Sequence, residues 1–535
     1  MVRPFLAPTA VQTLLETLEA SARWCQRLDG WVRLWVSMLA GALSALAFAP
    51  LYFWPIFFFT FPALVWLIDG AARRSPSWRE AVLVGWFFGF GFFFVGLHWV
   101  GFAFVVDADA HGWQLPFVAV LFPGGLALFF GVAAASARIF WQNGVGRALV
   151  LTCAICVTEW LRGHIFTGLP WNLLGYAWAG SDVMIQTSSV YGIYGLSLVT
   201  LLMAALPATL VLADGRRSLM RWPILLVPSL LVGLYLFGTY RVPATPVATF
   251  PSLAVRLVQP NVPQNEKWKP ELFERNWRTL VDLTRSPGLG SRRVVIWPEA
   301  APPFFMLSTD GAMEAIGVLM PDTAVLLTGT QRVQRGSPNK YFNSLVAIDG
   351  AGRLAALYDK SHLVPFGEYL PFFQLLEPLG IRQLTGANGG FSQGSGVRSI
   401  GVAGLPAFGP LICYEAIFPG AVVDAKNRPQ WLVNVTDDSW FGPWAGPYQH
   451  LGIAKIRAVE EGLAVARAAN TGVSAIIDPY GRIIASLGLD ESGVVDSSLP
   501  KPLESTIFSF AGDAIFAGMM LALVGVVFIF SRTTS

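Results

Sequence analysis

The chain has 535 residues, of which 54% are hydrophobic and only 13% are charged. Ordinary globular proteins carry about 25% charged residues, so this composition indicates a polytopic membrane protein. The formal net charge of +3 is too small to favour a nucleic-acid partner. The four cysteines are too few and too scattered for a disulfide framework.

The first 33 residues mix apolar and charged residues and place no apolar region close to Arg3, which argues against a cleavable signal peptide. We expect a cytoplasmic or interfacial segment lying on the membrane. A membrane-crossing helix needs about 20 apolar residues. Seven such spans are predicted within residues 34–241, near 34–51, 54–70, 80–106, 116–138, 148–161, 189–213 and 222–240, and one more at 513–531, about eight in all.

Basic residues in the short loops predict the orientation, because cytoplasmic loops are enriched in Lys and Arg. The N-terminal segment is basic, and so is every second loop after it, with Arg73, Arg74 and Arg79, then Arg138 and Arg147, then Arg216, Arg217 and Arg221. Seven spans from a cytoplasmic start leave the chain outside at Arg241, and the last span returns Arg532 to the cytoplasm. Both termini are therefore predicted to be cytoplasmic and the domain between the spans extracytoplasmic.

Residues 245–505 have the composition of an α/β domain. Alternation predicts a strand at Leu253–Gln259, and continuous apolar runs predict strands at Val294–Trp297 and Ala324–Thr328. Two more strands, Phe342–Ile348 and Leu354–Tyr358, flank a hairpin signal at 349–352, and Trp431–Val435 is a further predicted strand. Helices are predicted at Pro270–Arg285 and Gln449–Ala469, and a hairpin at Ser474–Leu487. Strands mixed with helices and hairpins predict a two-layer sheet sandwich covered by helices.

Three polar residues stand at the ends of apolar runs in this domain: Glu299, Lys360 and Cys413. Catalytic groups of α/β sheets tend to lie at the carboxyl ends of strands. A carboxylate that takes the thiol proton, a thiolate that attacks a carbonyl and an ammonium that stabilises the oxyanion form an acyl-transfer site. A nearby Lys also lowers the pKa of a Cys thiol.

Each of these residues alone has a structural explanation. A Cys at a strand end is commonly a small buried hydrophobe, Lys360 could be a solvated turn charge, and Glu299 could cap a helix. The catalytic hypothesis therefore rests on the combination of the three.

The motifs around these residues resemble a known family. Trp297-Pro-Glu299, Lys360 within Lys-x-His-Leu-Val-Pro-Phe-Gly-Glu-Tyr369, and Cys413-Tyr-Glu415 resemble the Glu-Lys-Cys triad of the nitrilase, or carbon–nitrogen hydrolase, superfamily. The flanking spans, with Gln259–Gln264 and Lys267-Trp268, resemble the bacterial apolipoprotein N-acyltransferase family over essentially the full length. That resemblance implies a polytopic α-helical membrane domain joined to a nitrilase-like αββα sandwich.

The resemblance also implies a two-step reaction. Cys413 would attack the sn-1 ester of a phospholipid such as phosphatidylethanolamine, with Glu299 as general base and Lys360 assisting the oxyanion. The thioester would then pass its acyl chain to the α-amine of the S-diacylglyceryl cysteine of an apolipoprotein. We expect a monomer of the bacterial inner membrane with a periplasmic catalytic domain and no cofactor. No metal site is predicted, because His362 and His450 lack partners at metal-ligand spacing.

Four supporting residues follow from the same resemblance. Glu368 would pair with Lys360 or share in proton transfer. Tyr414 and Glu415 would position Cys413 and shape the cavity, and Asn343 would hold a loop or assist the acyl carbonyl. The alternative for all four is ordinary structural hydrogen bonding.

Aromatic residues near the site are predicted to form the lipid entrance. Phe372 and Phe373 lie in Tyr369–Leu384, which we expect to be a lid or arm dipping toward the membrane, with an ordinary core helix as the alternative. Trp268 and Trp440 are further entrance candidates, although tryptophans beside a bilayer are also common anchors.

Two other functions remain open from the residues. A membrane-tethered amidase or nitrilase would pass the same thioester to water, and the nature of the pocket discriminates between the two. A non-catalytic lipoprotein-binding scaffold is disfavoured because Glu299, Lys360 and Cys413 are all intact.

Overall fold

A computed structural model of the chain describes residues 10–74, 78–216, 218, 222–379, 381, 383–385 and 390–533. Its membrane part contains helices α1 (Ala10–Arg27), α2 (Gly30–Ser44), α3 (Phe57–Arg74), α4 (Trp78–Gly96), α5 (Leu115–Ile139), α6 (Val145–His164), α7 (Ser188–Ala205) and α8 (Leu226–Arg241). Short helical turns connect them at Ala45–Ala47, Trp54–Ile56, His98–Phe104, Ala108–His111, Gly112–Gln114, Leu174–Trp178, Leu206–Leu210 and Trp222–Leu225.

Six helical segments among the described residues are long and apolar enough to cross a membrane: Gly30–Ala47, Trp54–Ala72, Trp78–Gly96, Ala108–Ile139, Ser188–Leu210 and Trp222–Arg241. The predicted span at 148–161 corresponds to α6, which carries Arg147, Glu159 and Arg162 and is less apolar. The predicted span at 513–531 corresponds to a final helix whose apolar stretch, Ala514–Ile529, is shorter. The polytopic helical membrane domain is confirmed, and the count of about eight spans is approximate.

Small residues allow the membrane helices to pack closely. A Cβ atom at Gly41 of α2 would overlap the carbonyl oxygen of Phe88 in α4, and one at Gly85 of α4 would overlap that of Phe130 in α5. In lipid, helix association depends on such close backbone contact, because burial of apolar surface drives it only weakly. The glycines therefore determine where α4 sits between its two neighbours.

The α/β domain contains eleven strands among its described residues: β1 (Thr249–Gln259), β2 (Val294–Trp297), β3 (Val325–Gln334), β4 (Lys340–Asp349), β5 (Leu354–Asp359), β6 (Phe408–Ile412), β7 (Trp431–Thr436), β8 (Ala464–Ala469), β9 (Ser474–Ile477), β10 (Ile483–Leu487) and β11 (Gly493–Pro500). They form a six-stranded sheet in the order β11-β1-β2-β3-β4-β5 and a five-stranded sheet in the order β10-β9-β8-β7-β6.

Helices cover the outer faces of both sheets. They are α9 (Phe273–Arg285), α10 (Ala312–Leu319) and α11 (Ala445–Glu461), and α12 (Ala514–Thr533) follows as the last helix of the chain. Short helices lie at Gln264–Lys267, Pro270–Leu272, Leu289–Ser291, Met306–Ser308, Phe373–Leu376, Glu377–Leu379, Cys413–Ile417, Asp438–Phe441 and Ile507–Ala511.

Three apolar clusters define the layers of this domain. Leu257, Ile296 and Val433 belong to the cluster between the two sheets. Separate clusters join α9 and α10 to the first sheet and α11 to the second. The αββα sandwich expected from the resemblance is therefore confirmed.

The strand register brings the catalytic candidates to one edge of the sandwich. β2 runs parallel to β3, and β6 runs parallel to β7. Glu299 follows the end of β2, Lys360 follows the end of β5, and Cys413 follows the end of β6. Because the two sheets face each other, the chain segments that leave these strand ends meet at the same place.

One predicted helix is wrong. The long helix expected over Gln449–Ala469 ends at Glu461, and Ala464–Ala469 is instead strand β8, paired in parallel with β7. Gly462 ends the helix in the left-handed conformation, with φ +63°, as glycine commonly does at helix C-termini. The alanine-rich run favours a helix by propensity, but the sheet places it between two strands, where small side chains fit.

The predicted hairpin over Ser474–Leu487 is confirmed by the antiparallel pairing of β9 with β10. Strand β11 was not predicted from the sequence. It pairs antiparallel with β1 at the edge of the first sheet, and its partly exposed polar residues weaken the apolar signal of a strand.

Candidate active site

Cys413 lies at a sharp turn between β6 and a short helical turn, Cys413–Ile417. Its φ is +49°, in the left-handed region that non-glycine residues rarely adopt. Such strain costs about 1–3 kcal/mol and persists only where the surroundings hold it. Neighbouring groups must therefore hold the backbone of Cys413 in place.

Glu415 is one of these groups. Its Oε2 accepts a hydrogen bond of 2.8 Å from the amide of Ile412, the residue before Cys413. Its Oε1 accepts from the Tyr358 hydroxyl at 2.7 Å and from the Ser361 amide and hydroxyl at 2.7 and 2.8 Å. Glu415 thus joins the turn at Cys413 to the loop that carries Lys360.

Glu299 is buried beside Cys413 with both carboxylate oxygens directed by neighbours. Its Oε1 accepts from Asn343 Nδ2 at 2.7 Å, and its Oε2 accepts from the Asp437 amide at 2.9 Å. Burial raises the pKa of Glu299 above its ordinary value, although the Lys360 ammonium opposes that shift. A carboxylate with a raised pKa is a stronger base toward a thiol.

Lys360 is fully buried between two carboxylates. Its Nζ donates to Glu368 Oε1 at 2.9 Å and lies 3.5 Å from Glu299 Oε1. Burial alone would lower the pKa of Lys360, but Glu368 and Glu299 raise it above its ordinary value. The two carboxylates therefore favour the charged form of Lys360, which is suited to stabilise an oxyanion.

Asn343 links the two carboxylates, because its Nδ2 also donates to Glu368 Oε1 at 2.9 Å. Glu368 Oε2 accepts from the Val364 amide at 2.8 Å, so Glu368 also holds the loop after Lys360. The structure thus brings the supporting candidates Asn343, Glu368 and Glu415 into contact with Glu299, Lys360 or the turn at Cys413.

The surroundings of the Cys413 thiol disfavour its thiolate form. Burial raises its pKa well above the ordinary value, the Glu299 charge raises it further, and Lys360 opposes both. The thiolate is the nucleophilic form, so a base has to remove the proton as the sulfur attacks. Glu299, which lines the same cavity as Cys413, is the candidate for this base.

A cavity of about 2090 Å³ contains the three groups and extends into the membrane domain. Its wall includes Glu299, Lys360 and Cys413. Apolar side chains of the membrane domain form much of the rest, including Trp99, Phe117, Leu121, Leu128, Val132, Leu161 and Phe166. Several of these side chains are exposed where α5 would meet lipid, Leu121 by 69%. The cavity therefore suits a substrate with long apolar chains and a reactive carbonyl.

The structure separates the predicted entrance residues into two groups. Trp268 and Trp440 lie on the cavity wall. Phe372 and Phe373 are exposed, by 76% and 45%, and do not belong to the described residues that line the cavity. Tyr414 lines the cavity and donates its hydroxyl to the carbonyl oxygen of Gly168 at 2.9 Å, which joins the catalytic domain to the membrane domain.

Two residues of the site were given no role by the sequence. Lys267 is buried and donates to the carbonyl oxygen of Glu299 at 3.0 Å and to Asp437 Oδ2 at 2.5 Å. Asp437 directly follows β7, the neighbour of the strand that precedes Cys413. The rule that drew attention to Glu299 and Cys413, a polar residue after a buried strand, also applies to Asp437.

Comparisons with known proteins match both parts of the chain. Residues 40–206 match the model of the apolipoprotein N-acyltransferase N-terminal domain, and residues 254–506 match that of the carbon-nitrogen hydrolase domain. The apolipoprotein N-acyltransferase of Rhodopseudomonas palustris is 43% identical over 92% of this chain and 94% of the relative. The apolipoprotein N-acyltransferase of Brucella melitensis is 42% identical over 89% of this chain and 91% of the relative.

Among solved structures, a carbon-nitrogen hydrolase from Helicobacter pylori G27 is similar to 46% of this chain and 89% of that one, at 14% identity and a TM-score of 0.33. The extent of the family matches and the identity to full-length relatives decide the assignment. The chain belongs to the apolipoprotein N-acyltransferase family, enzymes built on the carbon–nitrogen hydrolase fold.

Proposed function

We propose that the protein transfers an acyl chain from the sn-1 position of a phospholipid to the α-amine of the S-diacylglyceryl cysteine of an apolipoprotein. Cys413 carries the acyl chain as a thioester, Glu299 is the general base and Lys360 stabilises the oxyanion. The observation that carries this proposal is the single cavity that joins these three groups to apolar surfaces of the membrane helices.

In the first half-reaction, Glu299 takes the thiol proton while the Cys413 sulfur attacks the ester carbonyl. The negative charge that develops on the carbonyl oxygen is stabilised by the ammonium of Lys360. When the tetrahedral intermediate collapses, the bond from the carbonyl carbon to the glycerol oxygen breaks. Glu299 returns its proton to that oxygen, and a lysophospholipid leaves.

In the second half-reaction, the α-amine of the apolipoprotein attacks the thioester carbonyl. Glu299 takes a proton from the attacking nitrogen, the carbon–sulfur bond breaks, and the proton returns to the Cys413 sulfur. The products are an amide and the free thiol. A thioester is a good acyl donor to an amine, so this step needs no further activating group.

The same thioester would yield a fatty acid if water reached it, which is the hydrolase alternative. The apolar wall of the cavity favours transfer over hydrolysis, because a lipid-filled site keeps water from the intermediate. The partners that we infer are therefore a phospholipid such as phosphatidylethanolamine and a diacylated lipoprotein, both of which share the bilayer with the enzyme.

The protein is a multi-pass protein of the inner membrane. We infer that both termini lie in the cytoplasm and that residues 245–505 lie in the periplasm. The alternation of basic and non-basic loops supports this orientation. The protein is proposed to act as a monomer, because one chain supplies all the groups that the two half-reactions require.

Mass spectrometry of the purified enzyme tests the mechanism. Incubation with phosphatidylethanolamine alone should add one acyl chain to Cys413, and hydroxylamine should remove it. Addition of a diacylated lipopeptide should transfer that chain to the peptide α-amine. Cys413→Ala should abolish the adduct while the protein stays folded. Absence of any adduct in the wild type under turnover conditions would refute the covalent mechanism, and release of fatty acid without peptide acylation would favour the hydrolase.

A further inference from the structure

Two neighbouring residues of α11 reach toward different parts of the molecule. Gln449 contacts the membrane domain, and His450 contacts the backbone of Cys413. Both side chains are buried, with exposed fractions of 7% and 0% for the two residues. The two residues therefore connect the wall of the cavity with the proposed nucleophile.

The amide of Gln449 is saturated by the membrane domain. Its Oε1 accepts from the indole nitrogens of Trp99 at 3.0 Å and Trp171 at 2.8 Å. Its Nε2 donates to the carbonyl oxygens of Ala49 at 3.4 Å and Gly96 at 3.3 Å. Indole nitrogens only donate and carbonyl oxygens only accept, so the orientation of this amide is determined by its partners.

The two indoles that hold Gln449 belong to the cavity. Trp99 and Trp171 both line it, and their rings lie 4.7 Å apart. Phe441 packs against both rings, with centroid distances of 4.6 and 5.7 Å. A substrate chain that fills the cavity would therefore touch the same aromatic wall that anchors Gln449.

His450 meets the turn that carries the thiol. Its Nε2 lies 3.2 Å from the carbonyl oxygen of Cys413, which requires a proton on Nε2 because a carbonyl only accepts. Its Nδ1 lies 2.9 Å from Asp438 Oδ1 and 3.3 Å from Arg467 Nη2, so this nitrogen either donates to the carboxylate or accepts from the guanidinium, but not both. The ring of Trp171 packs against it at 5.5 Å.

We propose that Gln449 and His450 are positioning residues that align Cys413 with the aromatic wall of the cavity. The proposal rests on the function proposed above, in which Cys413 is the nucleophile. Consecutive residues of one helix move together, so the indoles fix Gln449 and, through it, His450. His450 in turn holds the carbonyl of Cys413, whose φ of +49° needs support from its surroundings. Neither residue touches the reacting atoms.

The structure offers a matched control on the same helix. Lys455 also joins α11 to the membrane domain, since its Nζ donates to the carbonyl oxygen of Ala179 at 2.9 Å and pairs with Asp182 at 2.8 Å. It contacts neither Cys413 nor His450. Lys455→Met therefore removes an inter-domain contact of α11 without changing the contacts of Gln449 and His450.

The test compares the alkylation and the acylation of Cys413 in four full-length variants. Iodoacetamide is applied in detergent without phospholipid, and modification of the Cys413 peptide is followed by mass spectrometry. His450→Met and Gln449→Met should slow alkylation by iodoacetamide and acylation by phosphatidylethanolamine about 10- to 100-fold, because small displacements of a reacting group cost rates of this order. His450→Gln, which places a donor near the position of Nε2, should restore most of both rates. Lys455→Met should leave both unchanged.

The possible outcomes distinguish a positioning role of Gln449 and His450 from simple loss of folding. Rates are compared at equal folded fraction, determined from thermal unfolding of each variant. Equal slowing by Gln449→Met and Lys455→Met would overturn the proposal, because it would reflect domain docking in general. Equal rates for His450→Gln and His450→Met would also overturn it, because the donor would then be irrelevant. A wild type that is alkylated but never acylated would instead refute the proposed function.

Discussion

Replacement of Glu415 by Gln tests how the site holds its nucleophile. The carboxylate receives the Ile412 amide on Oε2 and the hydroxyl and amide donors of Tyr358 and Ser361 on Oε1. Gln has one acceptor oxygen, which satisfies most donors when it takes the place of Oε1. Its amide NH₂ then faces the Ile412 N–H, a contact between two donors.

The free-energy cost of Glu415→Gln follows from this one contact between two donors. The variant loses a buried hydrogen bond to a charged acceptor, worth about 1.5–3 kcal/mol, and leaves the Ile412 amide unsatisfied. That amide immediately precedes Cys413, whose φ of +49° needs external support. We expect a lower Tm and a rate of Cys413 acylation that falls about 100-fold, since displacements near 1 Å have effects of this order.

The assay is single-turnover acylation with phosphatidylethanolamine, read by the mass of the intact protein, together with thermal unfolding in the same detergent. Glu274→Gln is the matched control, because Glu274 is exposed and pairs with Arg278 on the surface of α9. Exposed ion pairs are worth at most about 1 kcal/mol, so this control should change neither measurement. If Glu415→Gln lost stability but acylated at the wild-type rate per folded molecule, the positioning argument for Glu415 would be wrong.

Three further outcomes follow from the geometry of the site. The acidic limb of the pH profile of Cys413 acylation should lie above pH 4.5, the ordinary pKa of a Glu carboxyl, because burial raises the pKa of Glu299 and its protonated form cannot act as a base. The profile is measured with a water-soluble thioester-forming substrate, and a limb at or below pH 4.5 would contradict this prediction. Gly329→Ala should reduce the acylation rate and Tm, because the added Cβ would lie 2.5 Å from the Cα of Glu299 and overpacking costs about 1–3 kcal/mol. An unchanged rate and Tm would show that the backbone shifts to accommodate the methyl group without cost. Tyr414→Phe should lower Tm slightly and the acylation rate by less than tenfold, since it removes one hydrogen bond to Gly168, worth about 0.5–1.5 kcal/mol. Complete loss of acylation would indicate a chemical role for the hydroxyl.

The sequence predicted the parts of the fold that depend on local patterns. Continuous apolar runs marked β2 and the first half of β3 because strands buried on both faces need apolar residues throughout. Apolar segments of sufficient length predicted most of the membrane helices, because a helix in lipid satisfies its own backbone hydrogen bonds. The local pattern gave the wrong prediction at Ala464–Ala469, where alanines that favour a helix form strand β8 between β7 and β9.

The candidate catalytic residues were predictable for a related reason. Glu299 and Lys360 follow apolar runs with charges that are costly to bury alone, and Cys413 was visible as a thiol between an apolar run and a carboxylate. Gln449 and His450 were not visible in this way, because their partners lie up to 400 residues away along the chain. A polar residue within a helix gives no local sign of whether it meets solvent or a buried carbonyl.

The sequence by itself determined the class of this protein and the chemistry of its candidate site, because hydrophobic length, loop charge and polar residues at strand ends are local properties. Only the tertiary structure decided which groups meet. It brings Glu299 and Lys360 to within 3.5 Å of each other on the wall of a cavity that also includes Cys413, extends that cavity into the membrane domain, and places Gln449 against two indoles of its wall. These contacts join segments far apart in the chain, and distances between such segments depend on the packing of all the elements between them.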